Sequence, residues 1–141
     1  MSKIVLCDID GTIANNDHRQ HLLKEFKDWD KFFLELKNDS PIMSAINFIN
    51  KEHHLNSQII FITGRPYRYK KETQTWLEKY FFFPLEIVMR KDGDTRDKLI
   101  VKDEILDQFK LQNIKFILEN DEDLMMLWKQ RKVTIVDVRT I

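Results

Sequence analysis

The chain has 141 residues, 43% of them hydrophobic and 33% charged, the profile of one core-forming soluble domain rather than a disordered chain. Its 23 basic and 23 acidic residues cancel to a net charge of zero, which excludes the global positive field of a protein that coats DNA but not a local basic track. The single cysteine, Cys7, excludes an internal disulfide framework and a cysteine-based zinc cluster.

The opening Met1-Ser-Lys-Ile-Val runs straight into a short apolar strand, Lys3 to Cys7, too brief for a signal peptide or a membrane helix, so the expectation is a cytoplasmic chain with no membrane contact. Asn15 to Asp39 then carries Leu22, Phe26, Trp29, Phe33 and Leu36 near helical spacing. This predicts one or two short helices over the sheet edge, either as extra core cover or as a partial lid. Ser40-Pro41 reads as an N-cap and first helical residue, followed by Ile42, Ala45, Ile46 and Ile49 at helical spacing. Gln58–Ile62 is a second buried strand, and Tyr69, Thr73, Trp76, Leu77 and Tyr80 line the next helix. Leu85–Met89, Lys115–Leu118 and Val133–Val138 supply three further strands, separated by helices around Val101, Ile105 and Phe109 and around Leu124 to Trp128. Strands alternating with helices predict an α/β, three-layer Rossmann-like fold with a mainly parallel sheet, a small helical insertion over 15–39 and no large cap. Trp29, Trp76 and Trp128 fall on apolar stripes and are expected in the core.

Chemistry concentrates at strand ends. Asp8-Ile-Asp10-Gly11-Thr12 closes the first strand with two carboxylates on one side, a tolerable arrangement if a divalent cation lies between them or if one holds a proton. Both conditions suit phosphoryl transfer: Asp8 can attack phosphorus while coordinating Mg2+, and Asp10 can protonate the leaving oxygen and later deprotonate water. A solvated turn after a strand is the bland alternative. Thr63-Gly64-Arg65 ends the second strand with a hydroxyl, a backbone amide and a guanidinium, a potential phosphate cradle. Gly93-Asp94-Thr95-Arg96-Asp97-Lys98 leads into Val101-Lys102 and offers two lysines to hold the nucleophile's charge. Glu119-Asn120-Asp121 places acids after a fourth apolar run. Each motif is weak alone; their order, converging on one sheet edge, is the signal.

In that order the motifs resemble the haloacid dehalogenase-like hydrolases over nearly the whole chain. Within them they look most like the 3'-phosphatase domain of bacteriophage polynucleotide kinases, on Arg19, Thr63-Gly64-Arg65, Gly93-Asp94-Thr95-Arg96, Val101-Lys102-Asp103-Glu104-Ile105 and Trp128. The resemblance implies a Mg2+-dependent phosphatase with Asp8 as nucleophile and Asp10 as acid/base, acting through an aspartyl-phosphate. Thr63 and Lys98 or Lys102 complete the catalytic candidates, with Thr12, Arg19, Gly64, Arg65, Asp94 and Arg96 binding substrate. Asp8, Asp10, Glu119 and Asn120 are the metal candidates. Where the family reads Asp-Asp at the fourth motif, this chain reads Glu119-Asn120, with Asp121 as a substitute ligand.

The expected substrate is a nucleic-acid 3' end, with free nucleotides or other small phosphate esters as the alternative. A non-catalytic phosphate-binding module is a further alternative, kept alive by Glu119-Asn120. Gly11, Gly64 and Gly93 cannot form a P-loop, so the expectation is a phosphatase half without its kinase. That leaves open a kinase or ligase partner on a separate chain, and the oligomeric state. Arg65-Pro-Tyr-Arg-Tyr-Lys-Lys71 is either a basic, aromatic track for a nucleic-acid end or ordinary surface. His53-His54 read as the end of a surface helix, His18 and His21 as residues near Arg19, and Cys7 as a small core residue.

Overall fold

A computed structural model describes residues 3–24 and 27–141; Phe26, expected on the insertion's apolar stripe, lies outside them. Strand β1 (Ile4–Asp8) is the centre of a parallel sheet because it is apolar along its length and therefore suited to burial on both faces. β4 (Gln58–Pro66) pairs on one side of it and β6 (Ile114–Glu119) on the other, with β5 (Ile87–Arg90) and β7 (Ile135–Asp137) outside them. All four pairings are parallel, giving the order β5-β4-β1-β6-β7.

Alternate residues of the central strands point to opposite faces and build two cores. On one face Val5, Cys7, Ile59, Phe61 and Leu118 pack with Ile46 and Ile49 of α2 (Met43–His54) and with Trp76 and Leu77 of α3 (Lys70–Glu78). On the other, Leu6, Ile60, Ile62 and Ile117 pack with Val101 and Ile105 of α4 (Lys98–Leu106) and with Leu124 and Trp128 of α5 (Glu122–Gln130). The result is the three-layer Rossmann-like α/β fold that the alternation of runs predicts. Truncating Leu6, fully buried at the sheet centre, to alanine would cost about 2–5 kcal/mol.

Between β1 and α2 the chain makes β2 (Ala14–Asn15), a 3-10 turn over Asp17–Leu23, the short helix α1 (Trp29–Leu34), a second 3-10 turn over Glu35–Asn38, and β3 (Ser40–Pro41). Two expectations are corrected here. Ser40 and Pro41 do not start a helix: they pair antiparallel with Asn15 and Ala14, and α2 begins only after Ile42. The amide of Ile42 donates to the Ile13 carbonyl at 2.8 Å, which keeps this segment extended. Trp29 is not core but 47% exposed, whereas Trp76 and Trp128 are buried as expected. Among the described residues, no helix is long and apolar enough to cross a membrane.

Candidate active site

Asp8 stands at the carboxyl end of the central strand and is nearly buried. One carboxylate oxygen, Oδ1, accepts from Lys102 Nζ at 2.8 Å; the other, Oδ2, lies 2.9 Å from the Thr12 hydroxyl. That hydroxyl is also 3.1 Å from Asn120 Oδ1, so its single proton serves one acceptor at a time. Burial pulls the Lys102 ammonium's pKa down, but Asp8 and Glu119 outweigh it and hold the group above its ordinary range, hence charged. Of the two candidate lysines, Lys102 faces the nucleophile position. Lys98 does not: one turn earlier on α4, it is largely solvent-facing and donates to Asp121 Oδ2 at 2.6 Å.

The turn that presents Asp8 and Thr12 requires Gly11. Its φ is +78°, and a Cβ there would come within 2.3 Å of Asn120 Nδ2, so both the backbone and the closeness of the fourth motif exclude a side chain.

Asp10 is held differently from the expectation of a cation shared with Asp8. Its Oδ1 accepts from Arg19 Nη2 at 2.7 Å and Arg65 Nη2 at 2.9 Å, and its Oδ2 from Arg65 Nε at 3.1 Å. Both oxygens are thus occupied by guanidinium donors. Burial alone would raise the Asp10 pKa, but Arg65 and then Arg19 override it and hold the carboxyl below its usual range. Arg19 and Arg65 are themselves fully buried, and a second carboxylate, Asp39, locks them from behind. Arg19 donates to Asp39 through Nε and Nη2, each at 2.9 Å, Arg65 Nη2 lies 3.4 Å away, and His18 Nε2 sits 2.7 Å from Asp39 Oδ1. The two arginines expected to bracket a phosphate therefore position Asp10 instead. Nothing in the sequence marked Asp39; its only local signal was its place at the end of the insertion.

At the fourth motif, Glu119 is completely buried. Its Oε1 accepts from the Trp128 indole at 3.2 Å and its Oε2 from the backbone amides of Asn120 and Asp121 at 3.0 and 3.3 Å. Burial, then the neighbouring Asp8, pushes its pKa up to about 8. Trp128, read from sequence as core filling, is thus also a hydrogen-bond donor to the site. Asn120 turns to Thr12, and Asp121 caps α5 through Leu124 N at 3.2 Å while pairing with Lys98, so it is spent structurally.

Among the described residues no group of three or more His, Cys, Asp or Glu side chains is arranged as a metal cage. Asp8 and Glu119 together face one ammonium, that of Lys102, and Glu119 gives up its proton only at a cost that a second positive charge would remove. Two hard carboxylate groups so placed fit a divalent cation such as Mg2+ that keeps part of its water shell.

The remaining motif residues surround this centre. Thr63 is buried, its Oγ1 accepting from the Arg65 amide at 3.1 Å. The Gly64 carbonyl accepts from Arg90 Nε at 2.7 Å, and Arg90 also donates to the carbonyls of Asp94 and Arg96, fixing their loop. Arg96 is fully engaged by Asp94 and Glu104, and its side-chain and backbone hydrogen bonds hold the Asp94 carboxyl far below its usual range. Arg96 is therefore a loop brace in this arrangement rather than a free phosphate ligand. Of the basic track, Tyr69 is buried and its hydroxyl donates to Asp30 at 2.6 Å, while Tyr67 and Arg68 remain exposed. His53 and His54 end α2 on the surface, and burial pushes the Cys7 thiol well up, as befits an unreactive core residue.

A buried carboxylate on the middle strand of a parallel sheet, paired to a lysine and a threonine, with a second carboxylate two residues on, defines a phosphoryl-transfer hydrolase of the haloacid dehalogenase-like fold. Residues 2–140 match the model of the polynucleotide kinase PNKP phosphatase domain, and the chain belongs to that family of phosphoric monoester hydrolases. It is 23% identical over 137 residues to a protein of Autographa californica nuclear polyhedrosis virus named "Putative bifunctional polynucleotide kinase/RNA ligase", covering 95% of this chain and 19% of the viral one. Among solved structures it resembles a chain of the Pnkp1/Rnl/Hen1 RNA repair complex, with a TM-score of 0.80, 19% identity, and coverage of 96% of this chain and 42% of that one. It also resembles the class C acid phosphatase from Bacillus anthracis with tungstate bound, with a TM-score of 0.60, 15% identity, and coverage of 94% of this chain and 62% of that one. The chain thus spans less than half the length of the viral relative and of the repair-complex chain.

Proposed function

We propose that this phosphatase removes 3'-phosphates from DNA or RNA ends in a Mg2+-dependent reaction through an aspartyl-phosphate on Asp8. The observation that carries the chemistry is Asp8 held between Lys102 and Thr12 at 2.8 and 2.9 Å. Lys102 sets a positive charge against the Asp8 carboxylate and offsets the charge of an arriving phosphate. An Asp8 oxygen bonds to phosphorus as the bond to the 3'-oxygen breaks, and Asp10 supplies the proton that this oxygen needs. At rest Arg65 and Arg19 keep Asp10 ionised; the negative charge of the bound phosphate raises its proton affinity, so that it takes up from solvent the proton it then gives to the 3'-oxygen. In the second half-reaction Asp10 takes a proton from water, which attacks the phosphorus and frees Asp8. A bound Mg2+, held by Asp8 and Glu119, supplies charge neutralisation for the phosphoryl oxygens.

Membership of a polynucleotide kinase phosphatase family supports the nucleic-acid end as substrate, and the viral kinase/ligase relative supports a kinase or ligase partner. The test compares a 3'-phosphorylated oligonucleotide with a panel of mononucleotides and small esters, with Mg2+ and with EDTA. The expected result is Mg2+-dependent turnover with the oligonucleotide preferred, abolished by Asp8→Asn. Equal or faster turnover of mononucleotides overturns the substrate assignment, and full activity in EDTA overturns the metal dependence.

A further inference from the structure

At Gly64, which follows the buried Thr63, opens a cavity of about 600 Å3, bounded by Gly64 and Asp94 on the sheet side and by Lys27, Trp29 and Phe33 of the insertion on the other, with Arg68 among its lining residues. Trp29 is the unusual member. It is 47% exposed while the other two tryptophans of the chain are buried. Its indole is nevertheless fixed: stacked on Phe33 with centroids 5.9 Å apart and edge-on to Phe32, also at 5.9 Å. Phe32 in turn lies 4.4 Å beneath the Arg19 guanidinium, whose Nη2 reaches Asp10. One packed side chain and one ion pair thus connect the exposed indole to the proton carrier. The same helix is tied to the far wall by Asp30, which accepts from Tyr69 and Arg68 at 2.6 and 3.1 Å.

We infer that Trp29 is a stacking platform for the nucleobase at the phosphorylated end of a single strand, an inference that rests on the substrate proposed above. An immobilised aromatic face beside a phosphoryl-transfer centre meets every base alike, and Lys27 and Arg68 match the charge of the adjoining backbone. Apolar cover alone would not leave half an indole in solvent beside a cavity that Arg68, Arg90, Arg96 and Lys98 also line. The insertion therefore contributes specificity: it selects esters whose leaving group carries a base. Trp29 is a positioning residue, because the reacting atoms lie at Asp8 and Asp10.

The test measures KM and kcat on two 3'-phosphorylated oligonucleotides of equal length, one normal and one with an abasic terminal nucleoside, for the wild-type chain, Trp29→Ala and Trp29→Tyr. The expected wild-type result is a KM roughly tenfold lower for the base-bearing end, the scale of one base–aromatic stack, with kcat alike. That preference collapses to about one in Trp29→Ala and returns in Trp29→Tyr. A preference that persists in Trp29→Ala overturns the platform. A wild-type chain that hydrolyses p-nitrophenyl phosphate but neither oligonucleotide overturns the substrate reading, a separate result read in the wild-type lane alone.

Discussion

Lys102 Nζ lies 2.8 Å from Asp8 Oδ1, a contact between residues 94 positions apart that binds α4 to the tip of the central strand. The contact favours Lys102 over Lys98 for the role of counter-charge in the reaction proposed above. Lys102→Met is expected to lower kcat by a factor on the order of 10³, since the attacking oxygen loses its counter-charge. Lys98→Ala, which removes surface pairs with Asp121 and Asp123, keeps kcat within about threefold. Initial rates on a phosphorylated oligonucleotide decide between the two, and the reverse ranking would sink the assignment. Lys102→Met also leaves Asp8 and Glu119 buried without a cation, at a cost of about 3–5 kcal/mol in metal-free denaturation.

Glu119 makes metal binding and pH interdependent. Its pKa is raised in the folded chain from an ordinary 4.5 to about 8 by burial and by Asp8. Between those values the native state holds a proton that the unfolded chain has lost, so metal-free stability falls as pH rises through this window and levels off above about 8. At the proposed metal site Glu119 would give up that proton to bind a cation together with Asp8. The thermal shift produced by Mg2+ is therefore expected to be larger at pH 8 than at pH 6, and Glu119→Gln is expected to flatten both the metal-free slope and the metal response. Melting curves with EDTA and with Mg2+ at the two pH values check this; a shift independent of pH would remove Glu119 from the metal site.

Asp39 touches neither Asp8 nor the proposed cation, yet two buried guanidiniums depend on it. Asp39→Ala is expected to cost about 3–5 kcal/mol in urea denaturation, because Arg19 and Arg65 would be left with Asp10 alone. The surviving folded fraction should also show a changed pH–rate profile, since the arginines that hold the Asp10 pKa down would be free to shift. A variant with wild-type stability and profile would show that the clamp is dispensable.

Gly11→Ala combines two penalties, a left-handed φ of +78° and a Cβ 2.3 Å from Asn120 Nδ2. Strain at the backbone alone is about 1–2 kcal/mol. The double variant Gly11→Ala/Asn120→Ala removes the clash but keeps the strain, so it should melt higher than the single variant and below the wild type. Equal melting temperatures for the single and double variants would show that Asn120 moves aside freely.

The parts of the fold that were legible in the sequence are those set by one-dimensional pattern. β1 up to Cys7 and β4 from Ile59 to Ile62 are unbroken apolar runs, which only a doubly covered strand tolerates, and α3, α4 and α5 follow the periodic stripes around Trp76, Val101 and Leu124. Asp8, Thr63 and Glu119 were legible because each ends such a run, whereas Lys102, inside α4, stood level with Lys98 until the fold placed it 2.8 Å from Asp8. The insertion was not. Periodicity shows that Trp29 and Phe33 share a helical face, but not that the neighbouring wall extends far enough to cover Phe33 and stops short of Trp29. Ser40-Pro41 carries a helix-start signal that pairing with Asn15 and Ala14 overrides. Charge partners were the least legible: an arginine beside a phosphate-binding motif reads as a ligand, whereas Arg65 points at Asp10, 55 positions away, because Asp39 holds it from behind.

The sheet order has a consequence for how activity arises during folding. β1 pairs with β4 on one edge and β6 on the other, and these three strands with α4 carry Asp8, Thr63, Glu119 and Lys102. No stretch of chain shorter than the span from Asp8 to Glu119 contains all four groups, and no half of the sheet brings them together. Turnover during refolding therefore reports assembly of the three central strands with α4, and a fragment ending before β6 retains the nucleophile without a centre in which to use it.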